Sequence, residues 1–241
     1  MDENTASWSL KKRGDGIEEA REKMMKIFNR ALQSEEPLSW FEELYQDSNR
    51  DRAMIPWDWK GPHPFVVDWA RKNKQVGKAL VVGCGLGEDA AFLSSLGWEV
   101  TAFDISETAI DWAKGIHNES NIKWVVANLL ELSDSWMGAF DLVLEVHIIQ
   151  AIPKEIGQLA SNRLAPLVSD SGFLVCIGKL AEPKEDPEGP PWPLSIDEIE
   201  RIGKKLDNVE IHTSIIPGKE STRYRAVWEK TPNQSLEKPP K

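Results

Sequence analysis

A short apolar run, Ala79-Leu80-Val81-Val82, opens into three glycines at alternate positions, Gly83-Cys84-Gly85-Leu86-Gly87, and then into a helical pattern from Glu88 to Leu96. Glycines at such a turn let the backbone bend sharply and lie close against a ligand, at the strand end where open α/β sheets bind their ligands. The same rhythm continues downstream. Strand-like runs at Val100 to Phe103, Lys123 to Ala127, Phe140 to Glu145 and Gly172 to Ile177 alternate with helical patterns at about Ser106 to Ile116 and Lys154 to Leu167. Alternation of this kind predicts a parallel sheet covered by helices on both faces. Val209 to Ile215 and Arg223 to Trp228 are separated only by a turn at Pro217-Gly218, so they read as a terminal antiparallel pair. The expected fold is a doubly wound α/β sandwich with a seven-stranded, mostly parallel sheet that ends in that pair.

Ahead of the sheet, Ala20, Met24, Ile27, Phe28, Ala31 and Leu32 recur at helical spacing, and a turn-rich segment with Trp40 and Trp57 follows. These predict an N-terminal tail and helical cap over residues 1–60, a ligand-binding domain over 61–230 and a disordered tail over 231–241, with fraying of the polar first fifteen residues. At 241 residues one core suffices. The net charge of −10 disfavours a surface that tracks phosphates, and no apolar run approaches the roughly 20 residues of a membrane helix. With no leader-like segment at Met1-Asp2-Glu3-Asn4, the expectation is a cytoplasmic protein, a monomer or weak homodimer, with a small-molecule partner and neither nucleic acid nor membrane. Two cysteines, Cys84 and Cys176, supply neither a metal set nor a disulfide frame, so no metal is expected.

The glycine turn also discriminates between cofactors. A dinucleotide fingerprint needs a small residue at position 88, where this chain has Glu88. Glu88 and Asp89 occupy the first helical turn, where a pyrophosphate would otherwise gather from the helix dipole, and they repel it. No Gly-Lys-Ser or Gly-Lys-Thr follows, which excludes a P-loop. S-adenosyl-L-methionine suits the same turn, because it has no phosphate and carries a positive sulfonium. Asp104 ends the next strand, 17 positions after Gly87, where a carboxylate can accept both ribose hydroxyl protons.

On these residues, from about Gly61 to Trp228, the chain resembles the class I S-adenosylmethionine-dependent methyltransferases, with a Rossmann-like sheet. The Gly-Cys-Gly-x-Gly turn, Val81 in place of an acidic residue before it, the segments Ile55-Pro56-Trp57-Asp58 and Gly61-Pro62-His63-Pro64, and Gly189-Pro190-Pro191-Trp192-Pro193 resemble the subgroup that contains thiopurine, thiol and halide methyltransferases. The resemblance implies that Gly83, Cys84, Gly85 and Gly87 lie along the methionine moiety and that Asp104 with Ile105 holds the ribose. It further implies that Asn128 and Leu129 flank the adenine, that Trp40 and Trp57 close over the cofactor, and that Glu145 ends the fourth strand beside it. The aromatic hydroxyl residue that follows this carboxylate in thiol and halide methyltransferases is absent here, where Val146 and His147 stand instead.

Methyl transfer is an in-line displacement, so alignment and exclusion of water supply much of the rate. A thiol, with an ordinary pKa of about 8.5, needs little base assistance. The leading expectation is therefore a small-molecule thiol or other soft nucleophile as methyl acceptor. Small-molecule O- or N-methylation is the alternative, and a non-catalytic module that senses an adenosyl ligand is a third reading. His147 is the candidate catalytic residue, either as a base or as a donor that orients the acceptor; the competing reading is a strand-exit residue that only hydrogen-bonds locally. Trp192 is the candidate substrate-loop residue.

Overall fold

The structure, a computed structural model, describes residues 3–183, 187 and 189–232. Residues 233–241 of the expected tail lie outside them. Seven strands form one sheet: β1 (Lys78–Val82), β2 (Glu99–Asp104), β3 (Lys123–Val126), β4 (Phe140–Val146), β5 (Val168–Lys179), β6 (Asp207–Ile215) and β7 (Thr222–Glu229), in the order β3-β2-β1-β4-β5-β7-β6. The first five are parallel, and β7 runs antiparallel to both β5 and β6. Helices among the described residues are α1 (Glu3–Leu32), α2 (Trp40–Asp47), α3 (Pro64–Lys72), α4 (Glu88–Ser95), α5 (Glu107–Ile116), α6 (Ile148–Ala151), α7 (Lys154–Leu164) and α8 (Ile196–Ile202).

Alternation along β1 explains the two layers. Ala79 and Val81 face one side, where they meet Phe65, Val66 and Trp69 of α3 and Ala90 and Leu93 of α4. Leu80 and Val82 face the other, in a core with Phe28 of α1 and Trp40, Leu44 and Tyr45 of α2. Both faces are covered, so the strand reads as a continuous apolar run. Val82 pairs with Phe103 on one side and with Glu145 on the other, which brings the carboxyl ends of β1, β2 and β4 to one edge. There the chain leaves β1 in opposite directions across the sheet, and this point of divergence opens a crevice.

Two elements differ from the sequence expectation. The first helix starts at Glu3 and not near Glu18; no proline interrupts this stretch, and its Lys, Arg, Glu and Ala residues are good helix formers, against a cost of about 1 kcal/mol per glycine. The Pro-rich segment after Trp57 gives way to α3, because His63 accepts from the Phe65 N–H as helix cap and Pro64 occupies the first helical position.

Candidate active site

The glycine turn between β1 and α4 has Gly83, Gly85 and Gly87 at φ of 55°, 51° and 83°, a region that side chains resist. The three do different jobs. A Cβ on Gly83 would overlap Ile148 of α6, and one on Gly87 would overlap Trp124 of β3, so these two permit packing. A Cβ on Gly85 would sit 2.9 Å from the Tyr45 hydroxyl, toward the aromatic cap.

Asp104 closes the turn from β2. Its Oδ2 accepts the Gly85 N–H at 2.9 Å and its Oδ1 the Ser106 N–H at 3.0 Å. Burial raises this carboxyl, and the backbone hydrogen bonds pull against that rise. Each oxygen retains acceptor capacity.

The cap is tied down by ion pairs and hydrogen bonds that the sequence does not announce. Arg52 forks onto Asp58, with Nε to Oδ2 and Nη2 to Oδ1 both at 2.6 Å, and the same Nη2 reaches Glu88 Oε1 at 2.6 Å. Glu88, expected only to repel phosphate, thus shares the Arg52 guanidinium of the cap with Asp58, while Asp89 beside it takes the His63 N–H at 2.7 Å and remains on the cavity wall. From α2, Glu42 accepts from Ser106 Oγ, Thr108 Oγ1 and the Thr108 N–H at the start of α5. Burial alone would raise the Glu42 carboxyl; these bonds, with that from Gln46, hold it below its ordinary value.

Between cap and sheet edge lies a cavity of about 390 Å³. That is within the size range of small-ligand sites. Trp40, Phe41, Tyr45 and Trp57 roof it, and Trp57 Nε1 donates to the Tyr45 hydroxyl at 3.0 Å. Trp40 is fully buried, with its ring 5.7 Å from that of Trp57 and its Nε1 without a partner among the described residues. Gly83, Cys84, Gly85, Gly87 and Asp104 form the floor. A smaller hollow, sharing Phe41, Val82, Gly83, Asp104 and Ile148, continues past Ile105 to Asn128 and Leu129.

At the other end stand His63, His147, Lys219 and Arg223. His147 follows β4 with φ of 65°, an uncommon conformation for a residue with a side chain, and caps α6. Burial and the charge of Arg223 push its imidazole down to about 4, against a smaller upward pull from Gln150. His63 is pushed down to about 3 by burial and then by His147, Arg223 and Lys219. Both are neutral at pH 7.

Most of the anticipated residues therefore meet on these walls: Trp40, Trp57, Gly83, Cys84, Gly85, Gly87, Asp104, Ile105, Asn128, Leu129 and His147. Two do not. Glu145 is buried beneath α6, where Oε1 accepts the Ile148 and Ile149 N–H groups, and it lines neither hollow. Trp192 packs on Phe28 at 5.5 Å, and its neighbours Pro190 and Pro191 reach the wall instead. Sequence reasoning missed Tyr45, Arg52 and Glu42, and it read Asp89 only as a carboxylate that repels phosphate. Tyr45 had a signal, since it lies four positions after Phe41 on the same helical face.

An S-adenosyl group fits this donor set: a carboxylate with free acceptor capacity beside a bare glycine, a slot continuing to Asn128, and acidic Asp89 and Asp104 for a cationic ligand. Comparison with known proteins agrees. A family model described as thiopurine S-methyltransferase matches residues 42–223. The chain is similar to a probable thiol methyltransferase 2 of Arabidopsis thaliana, 26% identical over 180 residues that make up 73% of this chain and 76% of the relative. It is also similar to a 2-heptyl-1-hydroxyquinolin-4(1H)-one methyltransferase of Mycobacteroides abscessus, 24% identical over 175 residues covering 70% and 77%. In fold it resembles the Burkholderia thailandensis 1,6-didemethyltoxoflavin-N1-methyltransferase with TM-score 0.64 and 17% identity, over 80% of this chain and 86% of that one.

Proposed function

Because the chain belongs to the thiopurine S-methyltransferase family and is thereby an S-adenosylmethionine-dependent methyltransferase, we propose that its cavity methylates a small-molecule thiol or other soft nucleophile. The single observation that carries this reading is the convergence of Asp104, Gly85 and the aromatic roof on one cavity that also holds the two neutral imidazoles of His63 and His147. S-adenosylmethionine, when bound, supplies a methyl group activated by a positively charged sulfur.

The chain's own residues do the rest. Asp104, beside Ile105, accepts hydrogen bonds from the ribose, and Asn128 and Leu129 frame the adenine slot. Gly83, Cys84, Gly85 and Gly87 let the backbone lie along the remainder of the cofactor. Trp40 and Trp57 exclude water and present aromatic faces, which attract a cation by about 0.5–2 kcal/mol. His147 orients the acceptor and takes its proton. A second reading, methylation of a hydroxyl on a planar heteroaromatic acceptor, is favoured by that same imidazole, since a hydroxyl needs a base that an ionised thiol does not.

Calorimetry with S-adenosylmethionine, followed by measurement of adenosylhomocysteine release over graded thiols and heteroaromatic hydroxyls, tests both. Release with thiols is the expected result. Release confined to hydroxyl acceptors replaces the first reading by the second, and tight binding without release under any acceptor leaves a sensing module.

A further inference from the structure

Among the described residues, four carboxylates line the cavity: Asp58, Glu88, Asp89 and Asp104. Three of them have evident work. Asp58 holds the Arg52 fork on both oxygens, and its Oδ1 also takes the Lys60 N–H at 2.9 Å. Glu88 Oε1 takes the same guanidinium. Asp104 accepts the Gly85 and Ser106 N–H groups and turns its remaining lone pairs to the ribose. Asp89 is different. Its Oδ1 accepts the His63 N–H at 2.7 Å, while its Oδ2 has no hydrogen-bond partner among the described residues. None of the cavity's other cations, Arg21, Lys219 and Arg223, pairs with it: Arg223 Nη1 donates to Ser221 Oγ at 2.5 Å, and Lys219 Nζ stands 4.7 Å over the Trp59 ring. Burial pushes the Asp89 carboxyl up to about 6; the His63 N–H pulls against that rise and the charge of Glu88 adds to it. A carboxylate so placed is stabilised by a cation that arrives with a ligand.

We propose that Asp89 binds the ammonium group at the amino-acid end of the cofactor, with Oδ2 accepting one of its N–H bonds. This rests on S-adenosylmethionine being the cofactor of the cavity. That cofactor brings two positive centres. The sulfonium has no hydrogen to donate, whereas the ammonium carries three donors that need acceptors once they leave water. The placement agrees. Asp89 is the second residue of α4, directly beyond the Gly83–Gly87 turn that floors the cavity, and Asp104 meets the middle of that turn at Gly85. Two carboxylates thus stand at separate stations along one turn, the first for hydroxyl donors and the second for a charged donor. The groups around Asp89 leave its charge to be balanced by the ligand: Glu88 of α4 is paired with Arg52, and His63 before α3 presents a backbone N–H and an imidazole pushed down to about 3, neutral at pH 6. Near pH 6 the unliganded chain carries Asp89 about half protonated; an arriving ammonium favours the carboxylate and sends that proton to solvent.

The test is calorimetry on the full chain, wild type and Asp89→Asn, with S-adenosylhomocysteine and with its deaminated analogue, which keeps the adenosine, the sulfur and the carboxylate and lacks only the ammonium. Asparagine retains an oxygen for the His63 N–H, so the variant removes charge and spares the tie between α4 and α3. The expected result in Asp89→Asn is a loss of affinity of about tenfold or more for S-adenosylhomocysteine and of less than about twofold for the analogue. At pH 6, titrations of wild type in two buffers of different ionisation heat should show about half a proton more released with S-adenosylhomocysteine than with the analogue. That difference needs no variant, and Asp104, common to both ligands, cancels in it. Equal losses for the two ligands, or equal proton release, overturn the proposal. So does a loss confined to S-adenosylmethionine, which assigns Asp89 to the sulfonium instead. Binding of neither ligand by wild type overturns the cofactor reading itself, whereas tight binding of both with equal losses rejects the ammonium pairing alone.

Discussion

The backbone N–H of Gly85 donates to Asp104 Oδ2 at 2.9 Å, so the residue that shapes the turn after β1 is held by the residue that ends β2. One carboxylate thereby sets the loop and presents its remaining lone pairs to the crevice. Replacement of Asp104 by Ala is expected to weaken S-adenosylmethionine binding by about 1.5–3 kcal/mol through lost charge-assisted hydrogen bonds. Isothermal calorimetry reads this directly, and affinity unchanged within a factor of two would remove Asp104 from the site.

Gly85 and Gly87 separate binding from folding. A side chain at Gly85 faces the Tyr45 hydroxyl and the cavity, so Gly85→Val should abolish cofactor binding with native circular dichroism. At Gly87 a Cβ meets the Trp124 ring, so Gly87→Val should lower the melting temperature first. The reverse pattern would mean that the turn is aimed elsewhere.

Arg52 holds the cap to α4 through Asp58 and Glu88. The Asp58 side chain is 2% exposed, so Arg52→Met leaves a buried carboxylate unpaired, a change that costs about 3–5 kcal/mol when the pair is fully buried and less here, where Arg52 is 27% exposed. The expected readout is a raised KM for S-adenosylmethionine with increased proteolysis between α2 and α3. An unaffected KM would show that the cap stays closed by its aromatic contacts alone.

His147→Ala should lower turnover by about 10² while cofactor affinity stays within a few-fold, since the imidazole acts on the nucleophile and not on the donor. The loss should be small for a thiol assayed near its pKa and large for a hydroxyl. Equal losses across acceptors of graded pKa would indicate positioning without proton transfer.

Stability should depend on pH in two opposed ways. His147 and His63 have folded pKa values of about 4 and about 3, below the ordinary 6.5, so between pH 6.5 and 4 the unfolded chain binds protons that the folded chain refuses. Stability then falls as pH falls, and the double variant His63→Asn, His147→Gln should flatten this acid limb. Glu145, pushed by burial to about 7 from an ordinary 4.5, works the other way: its contribution is complete below pH 4.5 and is lost as pH rises through 7. Glu145→Gln should therefore gain most relative to wild type at pH 8, by several degrees in Tm. A Glu145→Gln difference that is the same at pH 5 and pH 8 would mean that the carboxyl titrates normally.

The sequence alone determined what depends on neighbours along the chain. Strand runs, helical spacing and the turn residues between them follow from side-chain periodicity and backbone sterics, so the parallel sheet, its antiparallel end, the glycine turn and the place of Asp104 at the end of β2 are all legible in it. Only the tertiary structure decided the partnerships between distant segments. Arg52 reaches Glu88 across 36 positions and Glu42 reaches Thr108 across 66, contacts with no local pattern to betray them. Glu145 illustrates the same limit. Its place at the strand end was readable, but whether its side chain turned to the crevice or under α6 was settled by the two N–H groups of a one-turn helix that needed an acceptor. Which nitrogen of His63 and of His147 carries the proton is likewise set by the Phe65 N–H that His63 Nδ1 accepts and by the Gln150 Oε1 that lies 3.3 Å from His147 Nδ1, because the site of an imidazole proton is dictated by whatever packs against each ring nitrogen once the chain has folded.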